Sequence, residues 1–238
     1  MTGVQTCALP ISASSEYLVG AFDGEKFTPE TGKLPGHRGR GFYAAQTFSD
    51  LPDGRRVQIG WGQCDSPGMA FNQLQAFPCE LSLRGTPDGP RLAWQPVKEL
   101  ATLRTKSQSA GPLTLRAGGA NPLAETKGEL LEIRADFAPA ADSEVVWKMR
   151  GIEVRYSAAK QEISVAGQRA PAPLRDGHQR VIILTDRTNL TVWASDGLSY
   201  VPVPVIAKAG DLGAEMSVQG GDVEITTLEA HRLKSIWP

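Results

Sequence analysis

Gly41-Phe-Tyr-Ala-Ala-Gln-Thr-Phe-Ser-Asp50, followed by Arg55-Arg-Val-Gln-Ile-Gly-Trp61, decides the fold of this chain. Both stretches are short and carry the aromatic and β-branched side chains that suit the pleated surface of a strand. Between them stands Pro52-Asp53-Gly54, where proline fixes φ and glycine supplies a corner. The spacing predicts two antiparallel strands, Phe42 to Phe48 and Arg55 to Trp61. Outward from this pair the punctuation repeats. Tyr17 to Phe27 reads as a hairpin turning at Asp23-Gly24. Cys79 to Arg84 and Arg91 to Trp94 form another around Asp88-Gly89-Pro90. Pro96 to Leu103 is the one helical candidate, with Pro96 in the first turn and Val97, Leu100 and Leu103 on one face.

Beyond about residue 107 the alternation sharpens. In Leu131-Glu-Ile-Arg-Ala-Asp-Phe137 every second residue is apolar, which predicts a half-buried strand with Glu132, Arg134 and Asp136 facing outward. Similar runs follow at Val145–Met149, Ile152–Tyr156, Glu162–Val165, Val181–Thr185, Leu190–Ala194, Tyr200–Val205, Met216–Val218 and Val223–Leu228. So many strands without a helical spacer argue for two packed antiparallel sheets. Trp147 and Trp193 lie inside strands and read as core.

The 238 residues carry a net charge of -1, so there is no basic surplus to neutralise phosphates, and nucleic acid is not expected as a partner. No apolar run approaches the roughly 20 residues of a membrane-spanning helix, and no membrane partner is expected. Cys7, Cys64 and Cys79 are odd in number and include no Cys-x-x-Cys pair, which argues against a disulfide framework or a zinc site. A bridge between Cys64 and Cys79 is the one pairing left open, and unpaired thiols are the preferred reading. His37, His178 and His231 show no metal-ligand spacing, and no glycine-rich phosphate loop occurs; neither metal nor cofactor is expected.

Order and spacing over both halves resemble glycoside hydrolase family 32, the invertases, levanases and inulinases. The resemblance rests on Tyr17-Leu-Val-Gly-Ala-Phe-Asp-Gly24, on Phe42-Tyr-Ala-Ala-Gln-Thr-Phe48, on Gly60-Trp61 and on Phe77-Pro-Cys-Glu-Leu-Ser-Leu83. It continues through Gly89-Pro-Arg-Leu92, Pro96-Val-Lys-Glu-Leu100 and the run from Val181 to Gly197. It implies an all-β fold: the last blades of a five-bladed β-propeller at residues 16–104, then a β-sandwich at residues 105–238. Residues 1–15 are set apart. Met1-Thr-Gly-Val-Gln-Thr-Cys-Ala-Leu-Pro-Ile-Ser12 has no basic residue before its short apolar part, as a signal peptide would, and does not match the family. It is read as a foreign segment.

The resemblance also implies a chemistry. Retaining glycosidases place two carboxyl groups about the scissile bond, one as nucleophile and one as acid/base. In this family the nucleophile is an Asp followed by Pro-Asn, an Arg-Asp-Pro motif binds hydroxyls, and a Glu followed by Cys is the acid/base. The present sequence contains no Asp-Pro and no Glu-Cys. Arg175-Asp176 is followed by Gly177, and Cys79-Glu80 has the reverse order, so Glu80 reads as a strand carboxylate. No catalytic residue is assigned.

Tyr43 and Trp61 match family positions that line the sugar subsite. An aromatic face packs on the apolar side of a furanose, and a phenol also bonds a hydroxyl. From the residues alone, aromatics in strands more often fill cores; the resemblance shifts the balance toward a fructan- or sucrose-type ligand. Gln46 reads as structural. An Asp that often precedes the Phe-Tyr-Ala stretch is replaced here by Gly36-His-Arg-Gly-Arg-Gly41, read as a solvated loop. The long loop after Trp61 offers Gln63, Asp65 and Asn72 as weaker contacts. The implied function is the C-terminal part of a β-fructosidase, inactive alone. The alternatives are a carbohydrate-binding or a purely structural sandwich. Oligomeric state is left open, and the resemblance points to secretion or the periplasm.

Overall fold

A computed structural model describes residues 15–48 and 50–237. The described chain is all-β apart from two 3₁₀ turns, Lys98–Leu103 and Ser195–Gly197. Of the foreign segment expected at residues 1–15, Ser15 is described, and the rest, with Cys7, lies outside the described residues.

The deciding stretch folds as its residues predict. Phe42–Phe48 pairs with Arg56–Gly62, and Cys79–Arg84 and Arg91–Pro96 continue an antiparallel meander in chain order. Leu74–Gln75 adds to the far end of Arg56–Gly62. The first hairpin is shorter than expected. Gly20–Phe22 pairs with Phe27–Pro29, while Tyr17 pairs with Leu34. The Asp23 carboxylate closes that turn by accepting the Glu25 and Lys26 N–H groups at 2.8 and 2.7 Å. The helical candidate is a 3₁₀ turn that starts at Lys98. Its apolar residues explain this: Val97, Leu100 and Leu103 are spaced by three, which stacks them on one face at three residues per turn.

In the second half, a seven-stranded sheet runs Arg104–Ala110, Val223–Leu233, Leu131–Pro139, Gln179–Thr185, Asn189–Ala194 and Ser199–Pro204, with Leu113–Leu115 added beside Val223–Leu233. A five-stranded sheet, Gln168–Pro171, Glu162–Val165, Ile152–Ser157, Glu144–Met149 and Ala214–Gln219, faces it across one core. Phe137 meets Trp147 and Tyr156 there, with ring centroids 5.8 and 5.7 Å apart. Arg104–Ala110 has no apolar alternation, and only its register against Val223–Leu233 makes it a strand.

Gln179–Thr185, Asn189–Ala194 and Ser199–Pro204 are buried on both faces, whereas Val223–Leu233 alternates buried and exposed residues. Leu131–Phe137 keeps the half-buried alternation at Arg134 and Asp136, which are partly exposed, and departs from it at Glu132. Glu132, expected to face outward, is 3% exposed. It is held by Arg104 Nε at 2.6 Å and Arg134 Nη1 at 2.8 Å. Burial pushes its carboxyl up, but the two guanidiniums outweigh this and keep it below the usual range. The outer face of Gln179–Thr185, Asn189–Ala194 and Ser199–Pro204 is covered by the meander. Ile182, Leu184, Trp193 and Tyr200 from the sheet share a cluster with Tyr17, Phe42, Cys79 and Trp94. Tyr200 stacks between Trp94 at 5.9 Å and Trp193 at 5.8 Å. Trp193 is therefore core, but core of the joint between the two halves. Trp147 fills the sandwich.

Two glycine contacts bring the halves this close. Arg38 and Arg40 donate backbone N–H groups to the Tyr200 and Pro202 carbonyls at 2.8 and 2.9 Å, so residues 36–41 extend the edge strand Ser199–Pro204. A Cβ on Gly39 would collide with the Pro202 carbonyl. The segment is thus docked through its backbone while the Arg38 and Arg40 side chains stay exposed as the solvated-loop reading expects; His37 departs from that reading, being buried and packed edge-on against Phe42 at 5.3 Å. On the other side, Ser195, Asp196 and Gly197 all have positive φ, and Gly197 lies against the Trp94 carbonyl.

Cys64 and Cys79 are both buried and free. Burial pushes the Cys79 thiol from its ordinary value of 9.0 up to about 12. A folded-state pKa raised in this way gives stability that is fully present below the unfolded pKa and lost as pH rises toward the folded one. Urea midpoints measured from pH 8 upward should fall through the window from 9.0 to about 12. Cys79→Ala should flatten part of that slope, leaving the share carried by Tyr17 and Tyr200, which burial also raises. An unchanged slope would mean that Cys79 contributes nothing to it.

Candidate functional site

Tyr43 and Trp61 are directly opposed across the pair Phe42–Phe48 and Arg56–Gly62. Their ring centroids are 6.0 Å apart at 60°, an edge-to-face arrangement. Opposed residues on neighbouring strands project on one face, so the pairing itself brings the two aromatics together. Two local features shape it. The register shifts between Tyr43 and Gln46, with Ala44 at φ 45°, a bulge that re-aims the strand end. Gly60, just before Trp61, leaves room for the Phe42 ring, which a Cβ there would strike. Tyr43 is half-buried, Trp61 is 39% exposed, and Gln46 is exposed.

The Trp61 indole is fixed by a residue that the sequence reading missed. Its Nε1–H donates to Gln73 Oε1 at 3.1 Å. Gln73 has φ 69°, a left-handed conformation uncommon outside glycine. Nothing in its local sequence signals this role, because the long loop after Trp61 has no periodic pattern. The structure separates the weaker candidates. Gln63 and Asp65 border a groove of about 630 Å³ with Arg40 and Gln73, whereas Asn72 joins Trp61 in a larger cleft of about 710 Å³. That cleft lies between the loop after Trp61, the turn 185–188 and the C-terminal residues, where Phe71 and Trp237 pack at 5.3 Å.

Glu80 lies elsewhere. It sits opposite Val57 and is 3.6 Å from Arg55 Nη1, in an ion cluster where Arg55 also holds Asp53 at 2.5 Å and Glu99 at 2.7 Å. These contacts explain a strand carboxylate without any catalytic duty. Among the described residues, no group of three or more His, Cys, Asp or Glu could hold a metal ion, and no helix is long and apolar enough to cross a membrane. What the arrangement offers chemically is recognition: aromatic faces for apolar ring surfaces, and amides beside them for hydroxyls.

Residues 2–96 match the family model for the glycosyl hydrolases family 32 N-terminal domain. Over 255 residues the chain is 30% identical to a levanase of Bacillus subtilis (strain 168), a span that covers 93% of this chain and 38% of that enzyme. Among solved structures it is similar to an exo-inulinase from Aspergillus awamori, with a TM-score of 0.79 and 22% identity, covering 94% of this chain and 50% of the other. It is also similar to a variant of fructan 1-exohydrolase IIa from Cichorium intybus in complex with 1-kestose, with a TM-score of 0.71 and 16% identity, covering 94% and 55%. The chain thus spans 38% of the levanase and about half of each solved enzyme.

Proposed function

The chain belongs to glycoside hydrolase family 32, and from that premise we propose that it supplies the C-terminal part of a retaining hydrolase of β-fructosidic bonds in fructans or sucrose. Residues 16–104 would be the closing blades of a five-bladed propeller, and residues 105–238 its sandwich. In this reading Tyr43 and Trp61 form one wall of the pocket for the terminal fructosyl unit. The observation that carries it is their direct opposition at a strand end, with the Trp61 indole anchored by Gln73.

The two carboxyl groups that retaining hydrolysis requires are not supplied by this sequence, which has no Asp-Pro and no Glu-Cys. The purified chain should therefore release no fructose from sucrose, levan or inulin above a buffer blank. Release by the wild-type chain would overturn the division of labour proposed here.

The sandwich acts in this reading as a brace. Three strands of its seven-stranded sheet, Gln179–Thr185, Asn189–Ala194 and Ser199–Pro204, are buried on both faces, and the meander supplies the residues that cover them. That favours a structural role over an independent carbohydrate-binding one, for which an exposed aromatic face would be needed.

A further inference from the structure

The proposed sugar wall is clamped to the sandwich at both of its strand ends. Tyr43 is reached from the docked segment 36–41. Arg38 and Arg40 give their N–H groups to the Tyr200 and Pro202 carbonyls, and Gly39 lies so close to the Pro202 carbonyl that no Cβ fits between them. Gly41 follows with φ 69°, and a Cβ there would stand 2.7 Å from the Gln63 carbonyl and 3.1 Å from Pro204 Cδ. The Gly41 carbonyl accepts the Gln63 N–H at 2.7 Å, one step beyond the Phe42–Gly62 pair. Tyr43 is two residues further on, about 7 Å along the strand. On the other strand, Trp61 is followed by Gly62, Gln63 and Cys64, and Cys64 Sγ lies 3.6 Å from Thr188 Oγ1 in the sandwich.

The contact is tight as well as double. Where Gly41, Gly62 and Cys64 meet Pro202 and Pro204, the void has a volume of about 10 Å³, room for one water at most. Surfaces packed this closely transmit a displacement from one to the other. The second docking point, Gly197 against the Trp94 carbonyl, lies on Arg91–Pro96, at the opposite edge of the meander from Phe42–Phe48. We propose that the sandwich strand Ser199–Pro204 positions the fructosyl wall: through Gly39 and Gly41 it sets where Tyr43 stands against Trp61, and thereby the affinity for a terminal fructosyl unit. Gly39 and Gly41 are positioning residues and touch no sugar. The inference rests on the proposed role of Tyr43 and Trp61, and it gives the sandwich a part in recognition beyond that of a brace.

The test follows the Trp61 indole N–H signal by NMR, assigned by its absence from Trp61→Ala, and titrates fructose into the same samples. All variants are compared at a temperature where thermal melts show them folded. Gly39→Ala should move the indole signal, because the Tyr43 ring lies edge-to-face with Trp61 at 6.0 Å. It should also weaken fructose binding about fivefold, as a wall loses its preorganisation. Gly197→Ala loosens the joint at its other edge and should leave the signal in place and the affinity within about twofold. Lost stability alone does not change the affinity of molecules that remain folded, so this contrast separates positioning from bracing. Should Gly39→Ala not fold, Pro204→Ala, which trims only the ring against Gly41, should move the same signal and weaken fructose about threefold. An unmoved signal, a moved signal with unchanged affinity, or equal weakening by Gly197→Ala would overturn the positioning role and leave the fructosyl wall standing. Fructose affinity unchanged in Trp61→Ala, or no binding by wild type, would overturn the wall and this inference with it.

Discussion

Gly197→Ala should be among the most damaging single substitutions in the chain, lowering stability by about 3–5 kcal/mol. For a chain of this size, that corresponds to a fall in Tm on the order of 10 °C. Two costs combine. Gly197 has φ 89°, where any side chain loses about 1–2 kcal/mol. Its added Cβ would also drive into the Trp94 carbonyl. That oxygen cannot retreat freely, because Trp94 lies in Arg91–Pro96, paired along its length with Cys79–Arg84. Gly210→Ala is the control. Gly210 has φ 80° but open space around it, so only the backbone cost of about 1–2 kcal/mol should appear. Urea unfolding of the two variants separates the terms. Equal losses would show that close approach to Trp94 is not what the glycine provides.

Trp193→Ala should cost a similar amount, about 3–5 kcal/mol, by opening a cavity at the joint. The ring is 1% exposed, stacks on Tyr200 at 5.8 Å and leans on Phe77 at 6.3 Å. The loss should also uncouple the halves, so that calorimetry shows two transitions where wild type shows one. Tyr200→Phe provides the contrast. The Tyr200 hydroxyl is buried with no hydrogen-bond partner of good geometry, and its pKa is raised well above the ordinary value by burial and the adjacent Cys79 thiol. Removing a buried hydroxyl whose one neighbouring partner is the weakly bonding Cys79 thiol should change stability by no more than about 1 kcal/mol. A single transition and a loss under about 1 kcal/mol for Trp193→Ala would contradict a joint held by stacked aromatics.

The sequence was most legible where hydrogen bonding is local. The turn at Pro52-Asp53-Gly54, the hairpin at Asp88-Gly89-Pro90 and the alternating strand Leu131–Phe137 announce themselves by residue type and period. It was least legible where one half of the chain meets the other. Glu132 alternates like a solvent-facing residue, and only the arrival of Arg104 from a distant strand explains its burial. Gly36 to Gly41 has the composition of a free loop, yet its Arg38 and Arg40 N–H groups are spent on carbonyls about 160 residues away. The run Val181 to Gly197 carried family resemblance, and the structure supplies a physical reason: its last residues form the left-handed turn that docks on Trp94. At the candidate site, Tyr43 and Trp61 were readable as strand aromatics with a family counterpart. Gln73 was not, because a hydrogen bond across a twelve-residue separation in an aperiodic loop leaves no pattern in the sequence.

The most direct test of the central claim is a fructose titration of the chain followed by saturation-transfer NMR, with Tyr43→Ala and Trp61→Ala beside wild type. With only one wall of the pocket present, wild type should bind in the millimolar range, about -4 kcal/mol. Transfer to the sugar should fall sharply in Trp61→Ala and partly in Tyr43→Ala. Equal transfer in all three proteins would show that these aromatics do not touch the sugar, and the fructosyl wall would have to be sought elsewhere.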